Sequence, residues 1–168
     1  MKKSLSTYTS FNDVYSDTLA GKFPNEASLK QAFIEALKNE LYRSPCNKHI
    51  IDQMIFPVLD EVLSGKKPDI RFSNMIIEVE PPGGSIDVGR MQLHDYMNRL
   101  FMMVNGKVKV LGLVTNGVEA ELWILDNNEL KPQNQGAMPT VAAQALHIFC
   151  SDKIPVVTPE DLVRIFGV

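Results

Sequence analysis

The sequence predicts a single α/β domain, and two observations carry that reading. Apolar side chains recur at helical spacing over residues 26–42, 48–63 and 88–104, and two strand–turn–strand segments, 68–80 and 107–125, alternate with those stretches. At 168 residues the chain is long enough for one core, since a domain of that size buries roughly two-thirds of its unfolded surface. A domain spanning 1–168 is therefore expected.

The elements follow in order. Residues 1–25 read as a polar lead-in with a short helix around Phe11 to Leu19. Asn25 is suited to cap a helix from Glu26 to about Tyr42, whose apolar positions are Leu29, Phe33, Ala36, Leu37 and Leu41. A second helix, Lys48 to Leu63, has a broad apolar stripe that should lie deep against a sheet. Pro57 predicts a kink near Phe56, and Gly65 a C-terminal cap.

Pro68–Phe72 and Met75–Glu80 read as two strands joined by a Ser73-Asn74 turn, with Asn tolerating the positive φ such turns need. Pro81-Pro82-Gly83-Gly84 ends the second strand. A helix from Val88 to Val104 presents Met97, Leu100, Phe101 and Val104. Lys107–Val114 and Glu119–Leu125 are two further strands, turning through Thr115-Asn116-Gly117-Val118. Residues 126–138 read as a loop and Val141–Phe149 as a buried helix. Thr158-Pro159-Glu160-Asp161 opens a last helix that ends near Gly167.

Composition narrows the function. A chain 45% hydrophobic and 22% charged is an ordinary globular one. The net charge of -3 argues against a wholly basic nucleic-acid binder, although Lys66, Lys67, Arg71, Arg90, Arg99, Lys107 and Lys109 could form a local basic rim. Each of them is equally well read as solvated surface charge. Cys46 and Cys150 are too few for a disulfide framework and lack zinc-ligand spacing, so they read as reduced, buried thiols in a cytoplasmic protein. Met1-Lys2-Lys3 is not followed by an apolar stretch, and Leu100–Val114 is interrupted by Asn105-Gly106-Lys107; neither a signal peptide nor a membrane span is expected. The glycine pair at 83–84 lacks the Lys-Ser/Thr of a phosphate loop, and neither cysteine has a nucleophile signature. His49, His94 and His147 have no metal-ligand spacing.

The first hairpin makes the sharpest geometric statement. With Ser73-Asn74 as the turn, Phe72 pairs with Met75, Arg71 with Ile76, Ile70 with Ile77 and Asp69 with Glu78. Side chains alternate, so Ile70, Phe72, Met75, Ile77 and Val79 form a core face, and Asp69, Arg71, Ile76, Glu78 and Glu80 share the other. Like charges opposite each other destabilise a sheet. A divalent cation with oxygen ligands, Mg²⁺ or Mn²⁺, would offset the repulsion. Plain solvation of an acidic face would serve as well.

These residues carry a family resemblance. Pro68-Asp69, a hairpin and Glu78-Val79-Glu80 resemble the PD-(D/E)xK nucleases, the restriction-endonuclease-like superfamily. Glu26 upstream, Gln92 and Tyr96 in Gln92-Leu93-His94-Asp95-Tyr96, and Gly112-Leu113-Val114-Thr115-Asn116-Gly117 followed by Trp123 agree in order, the last being similar to type I restriction nuclease domains. The resemblance covers about residues 25–126, leaving a helical extension at about 139–168. It implies a central mixed sheet of four to five strands flanked by helices, and a metal-dependent endonuclease cutting DNA, with RNA as the other candidate substrate. It also implies a homodimer or a larger restriction-type complex.

By the resemblance Asp69 and Glu78 hold the metal and Glu80 stands where the family usually has Lys, with Arg90 or Lys66 as alternative sources of positive charge. Glu26 is either a further metal-reaching acid or a first-turn acid favoured by the helix dipole. Gln92 and Tyr96, four apart on one helix face, either line the site or divide into a surface and a core residue. A nuclease fold that binds without cutting is the competing reading.

Overall fold

The computed structural model describes residues 8–46, 48–52 and 68–151. Four helices flank a five-stranded mixed sheet: α1 (Phe11–Leu19), α2 (Glu26–Arg43), α3 (Asp87–Met103) and α4 (Met138–Ser151), with one further turn at Lys48–Ile50. The strands are β1 (Ile70–Phe72), β2 (Met75–Val79), β3 (Val110–Thr115), β4 (Glu119–Asp126) and β5 (Glu129–Ala137), and they lie in the sheet in chain order. Only β2 and β3 are parallel, as the α3 crossover between them requires.

Local chemistry sets the helix starts. The Asn25 side chain accepts from the Ser28 N–H at 2.9 Å, and the Ser28 hydroxyl accepts from the Asn25 N–H at 3.3 Å, a reciprocal cap that begins α2 at Glu26. Ser10 and Asp13 do the same for α1.

The sheet divides two cores by the parity of its strands. Ile70, Phe72, Met75, Ile77, Val79, Leu111, Leu113, Ala120 and Leu122 face α1, α2 and α4 in the larger core. Ile76, Val110, Val114 and Leu125 face α3 in a smaller one with Leu93, Tyr96, Met97, Leu100 and Phe101. Gly112 lets α3 lie close: a Cβ there would come 2.3 Å from the Met97 sulfur.

The predicted hairpin register is found, with Phe72↔Met75, Arg71↔Ile76 and Ile70↔Ile77 paired. The left-handed turn residue is Ser73 (φ 48°), not Asn74, whose amide instead donates to the Lys109 carbonyl at 2.8 Å.

Two expectations are corrected. Residues 126–138 are not a loop: Glu129–Ala137 pairs antiparallel with β4 through a two-residue turn with Asn127 and Asn128 at φ 51° and 61°. The strand is polar because it is an edge with both faces largely exposed, so no apolar alternation marks it; Asn-Asn was the signal, as such turns need positive φ twice. Cys46 and Cys150 are not reduced thiols. They form a disulfide across 104 residues, because α4 returns its C-terminal end to that of α2 and brings the two Cα atoms to 4.9 Å. The Lys48–Leu63 helix beyond Asp52, with Pro57 and Gly65, and the helix expected after Thr158 lie outside the described residues.

Candidate active site

The carboxylates predicted from the hairpin meet at the carboxyl end of β2. In open α/β sheets this is the end where ligands are bound. Glu78 is β2's penultimate residue, and Glu80 extends the pairing past it, its N–H donating to the Thr115 carbonyl at 2.8 Å. Beyond it the loop is pinned: the Gly83 N–H donates to the Asn116 carbonyl at 3.0 Å and the Asn116 amide to the Gly84 carbonyl at 2.6 Å. Asp69 immediately precedes β1, and its carboxylate accepts from the Val79 N–H at 2.9 Å. Asp69 thus ends the ladder with a side-chain bond where a backbone pair with Glu78 was expected.

This face is not solvated. Glu78 is 3% exposed, Arg71 3% and Glu80 9%. The acids feel one another in the interior. Burial pushes the Glu78 carboxyl up to about 10, aided by a hydrogen bond and charge repulsion from Asp69 and by the charge of Glu80. Two carboxyl groups can share a hydrogen bond only if one keeps its proton. Burial also raises Glu80, with Glu26 and Asp69 adding to it. One oxygen of Glu78, Oε1, is buried without a hydrogen-bond partner.

Helix α2 brings two residues to the cluster. Glu26, in its first turn, is raised by burial and then by Asp69, against the pull of Lys30. The acid that the helix dipole alone would keep charged is therefore part of the cluster. Lys30 ion-pairs with Asp69 at 3.4 Å, both side chains about 15% exposed. The hairpin motif gave no hint of Lys30; its spacing of four from Glu26, which puts both on one helix face, was the available signal.

Helix α3 closes the other side with its two flanks in different roles. Gly89 lies against Glu80: a Cβ there would come 2.4 Å from Oε1. Tyr96 is buried on the same flank, and its hydroxyl is raised by burial and by the charges of Glu78 and Asp69. Gln92, one turn earlier, is exposed. Arg90 points along the opposite flank to Glu121 on β4, donating through Nε at 2.7 Å and through Nη2 at 2.6 Å, and bonds Asp87 at 2.9 Å. Trp123 also donates to Glu121, at 3.0 Å, and its ring meets His94 edge-on at 4.3 Å. Arg90 is thus committed away from the carboxylates. Lys66 lies outside the described residues.

The donor set is all oxygen, which suits Mg²⁺ or Mn²⁺ and no softer metal, and the unpartnered Glu78 Oε1 is an acceptor that a cation would satisfy. Among the described residues, no three His, Cys, Asp or Glu side chains are arranged as an ion site with the side chains as they stand.

No protein-family profile, curated protein or solved structure matches the chain.

Proposed function

We propose that the protein is a divalent-metal-dependent phosphodiester hydrolase acting on DNA, on a restriction-endonuclease-like fold. The observation that carries this reading is a cluster of four mutually repelling acids at the carboxyl end of β2, Glu78 and Glu80 buried and Glu26 and Asp69 half-buried, with one described lysine, Lys30, paired to Asp69. Burying like charges without a cation is costly. Such an arrangement persists where a ligand repays it, as at functional sites generally.

Asp69 and Glu78 would hold Mg²⁺ or Mn²⁺, with Glu26 and Glu80 within electrostatic reach. When bound, such an ion acidifies water and stabilises charge on a phosphate. Lys30 pairs with Asp69 and would supply a positive charge that Glu80 does not. Tyr96, on the α3 flank that meets the acids, and the exposed Gln92 one turn earlier could contact phosphate through a hydroxyl and an amide. A cytoplasmic setting belongs to the same proposal, but the disulfide removes the argument that free thiols supplied for it. No described helix is long and apolar enough to cross a membrane.

The second reading, a nuclease fold that binds without cutting, is favoured by one observation. Glu80 occupies the motif position of the usual lysine and is wedged against Gly89.

The deciding experiment is cleavage of plasmid, linear and single-stranded DNA, and of RNA, with Mg²⁺ or Mn²⁺. Wild type is compared with Asp69→Asn and Glu78→Gln, and Mn²⁺ binding is followed by calorimetry. Metal-dependent cutting lost in both variants is the expected result. Metal binding without cutting would favour the second reading, and absence of both would end the nuclease proposal.

A further inference from the structure

The disulfide ties the end of α2 to the end of α4, yet neither helix is held by it alone. Helix α2 buries Leu29, Phe33, Leu37 and Leu41 in the larger core, and α4 buries Val141, Ala142, Ala145 and Phe149 there. The two sulfurs are unequally placed. Cys46 is 6% exposed, whereas Cys150 is half-buried. A cleft of about 170 Å³ is walled by Arg43, Ser44 and Pro45 on one side and by Leu146 and His147 of α4 on the other. The Ser44 hydroxyl oxygen lies 3.5 Å from the Cys150 sulfur, so the cleft borders the Cys150 side of the bond.

We propose that Cys46–Cys150 is a reversible redox latch, opened by a dithiol reductant whose thiolate enters this cleft and attacks the Cys150 sulfur. Exposed disulfides are the labile ones. A new S–S bond joins the reductant to Cys150, the Cys46–Cys150 bond breaks, and Cys46 leaves as a thiolate that takes a proton from water. The reductant's second thiol then attacks its own sulfur in the mixed disulfide and releases Cys150, which is protonated in turn. The protein gains two electrons and two protons, and the reductant becomes a disulfide. The open state is provided for. The Ser44 hydroxyl donates to the Leu41 carbonyl and accepts from the Cys46 N–H at 3.2 Å, and its second lone pair is placed to accept from a Cys150 thiol. A reduced Cys46 rests in the core as a small apolar side chain. The closed latch encloses all five strands within one covalent loop and acts by restricting the unfolded chain. In a reducing compartment it would stand open. The proposal is independent of the nuclease reading, since no acid of the cluster touches the disulfide or the cleft.

Reduction of the full native chain by dithiothreitol tests it, with free thiols counted by alkylation and mass. The protein is expected to lose the bond while its circular dichroism stays unchanged, to melt roughly 10 °C lower, and to recover on reoxidation. Cys46→Ser, which leaves Cys150 alone, is expected to form a mixed disulfide with oxidised glutathione at least about tenfold faster than Cys150→Ser, which leaves Cys46. A bond that survives dithiothreitol until denaturant is added overturns the proposal. So does a reduced protein that melts with the oxidised one, or a Cys46 that reacts as fast as Cys150.

Discussion

Two polar clusters flank α3, and they solve the burial of charge in opposite ways. On the β4 flank, Arg90 grips Glu121 through two nitrogens, Trp123 adds a third donor, and the Glu121 carboxyl is held below its ordinary range chiefly by Arg90. On the β2 flank, four acids share one ion pair with Lys30, and the carboxyls of Glu26, Glu78 and Glu80 are all pushed up. The first cluster is complete within the chain. Among the described residues whose partners are shown, the second is short of positive charge, which a bound cation or a proton would offset. The contrast teaches that burial of charge does not itself mark a site; burial that the fold leaves uncompensated does.

The largest effect is expected from breaking the satisfied cluster. Arg90→Met strands a buried Glu121 and should cost roughly 2–3 kcal/mol, less than a fully buried pair would because Arg90 is a third exposed. Urea unfolding at neutral pH measures it, and a loss below about 0.5 kcal/mol, the scale of an exposed surface pair, would show the cluster to be ornamental.

The acid cluster should respond in the opposite sense. Between the ordinary carboxylate range and about pH 10 the folded protein keeps a proton on Glu78 that the unfolded chain has released. Glu78's contribution to stability is therefore fully present at acid pH and drains away as pH rises toward about 10. Glu78→Gln, measured with chelator present, should flatten that slope and at pH 9 stabilise the protein by about 1–3 kcal/mol. A parallel pH profile for the two proteins would sink the idea.

A smaller effect tests the wedge between Gly89 and Glu80. Alanine in a helix interior is worth up to about 1 kcal/mol over glycine, yet a Cβ at Gly89 collides with the Glu80 side chain. Gly89→Ala should therefore destabilise the wild type and stabilise a Glu80→Ala background, a coupling that a double-mutant cycle reads directly. The smallest change is Asp87→Ala. It removes an exposed partner of Arg90 and should stay within about 0.5 kcal/mol by thermal melt.

How legible the site was depended on how local its causes were. The hairpin register followed from a two-residue turn and period-two alternation, so Asp69, Glu78 and Glu80 came out on one face from sequence alone. Their burial did not follow, because it depends on α3 packing over that face through Gly112. Lys30 escaped notice because it reaches Asp69 across 39 residues. The commitment of Arg90 to Glu121 spans 31 residues and was likewise invisible. β5 was missed for the converse reason, since an edge strand with both faces exposed carries no core pattern. The disulfide joins residues whose spacing holds no information until α4 is docked against α2.

The order of the sheet bears on how the chain finds it. Every strand pairs with its neighbour in sequence, so β1–β2 and β3–β4–β5 can each zip from a tight turn at little loop-closure cost. The exception is the parallel contact of β2 with β3, which must enclose residues 80–109 and waits on α3 covering the sheet. Within the sheet that pairing is the least local step, and contact order makes such steps the slow ones. The carboxylates at the end of β2 therefore gain their cover from α3 only when this longer-range pairing closes.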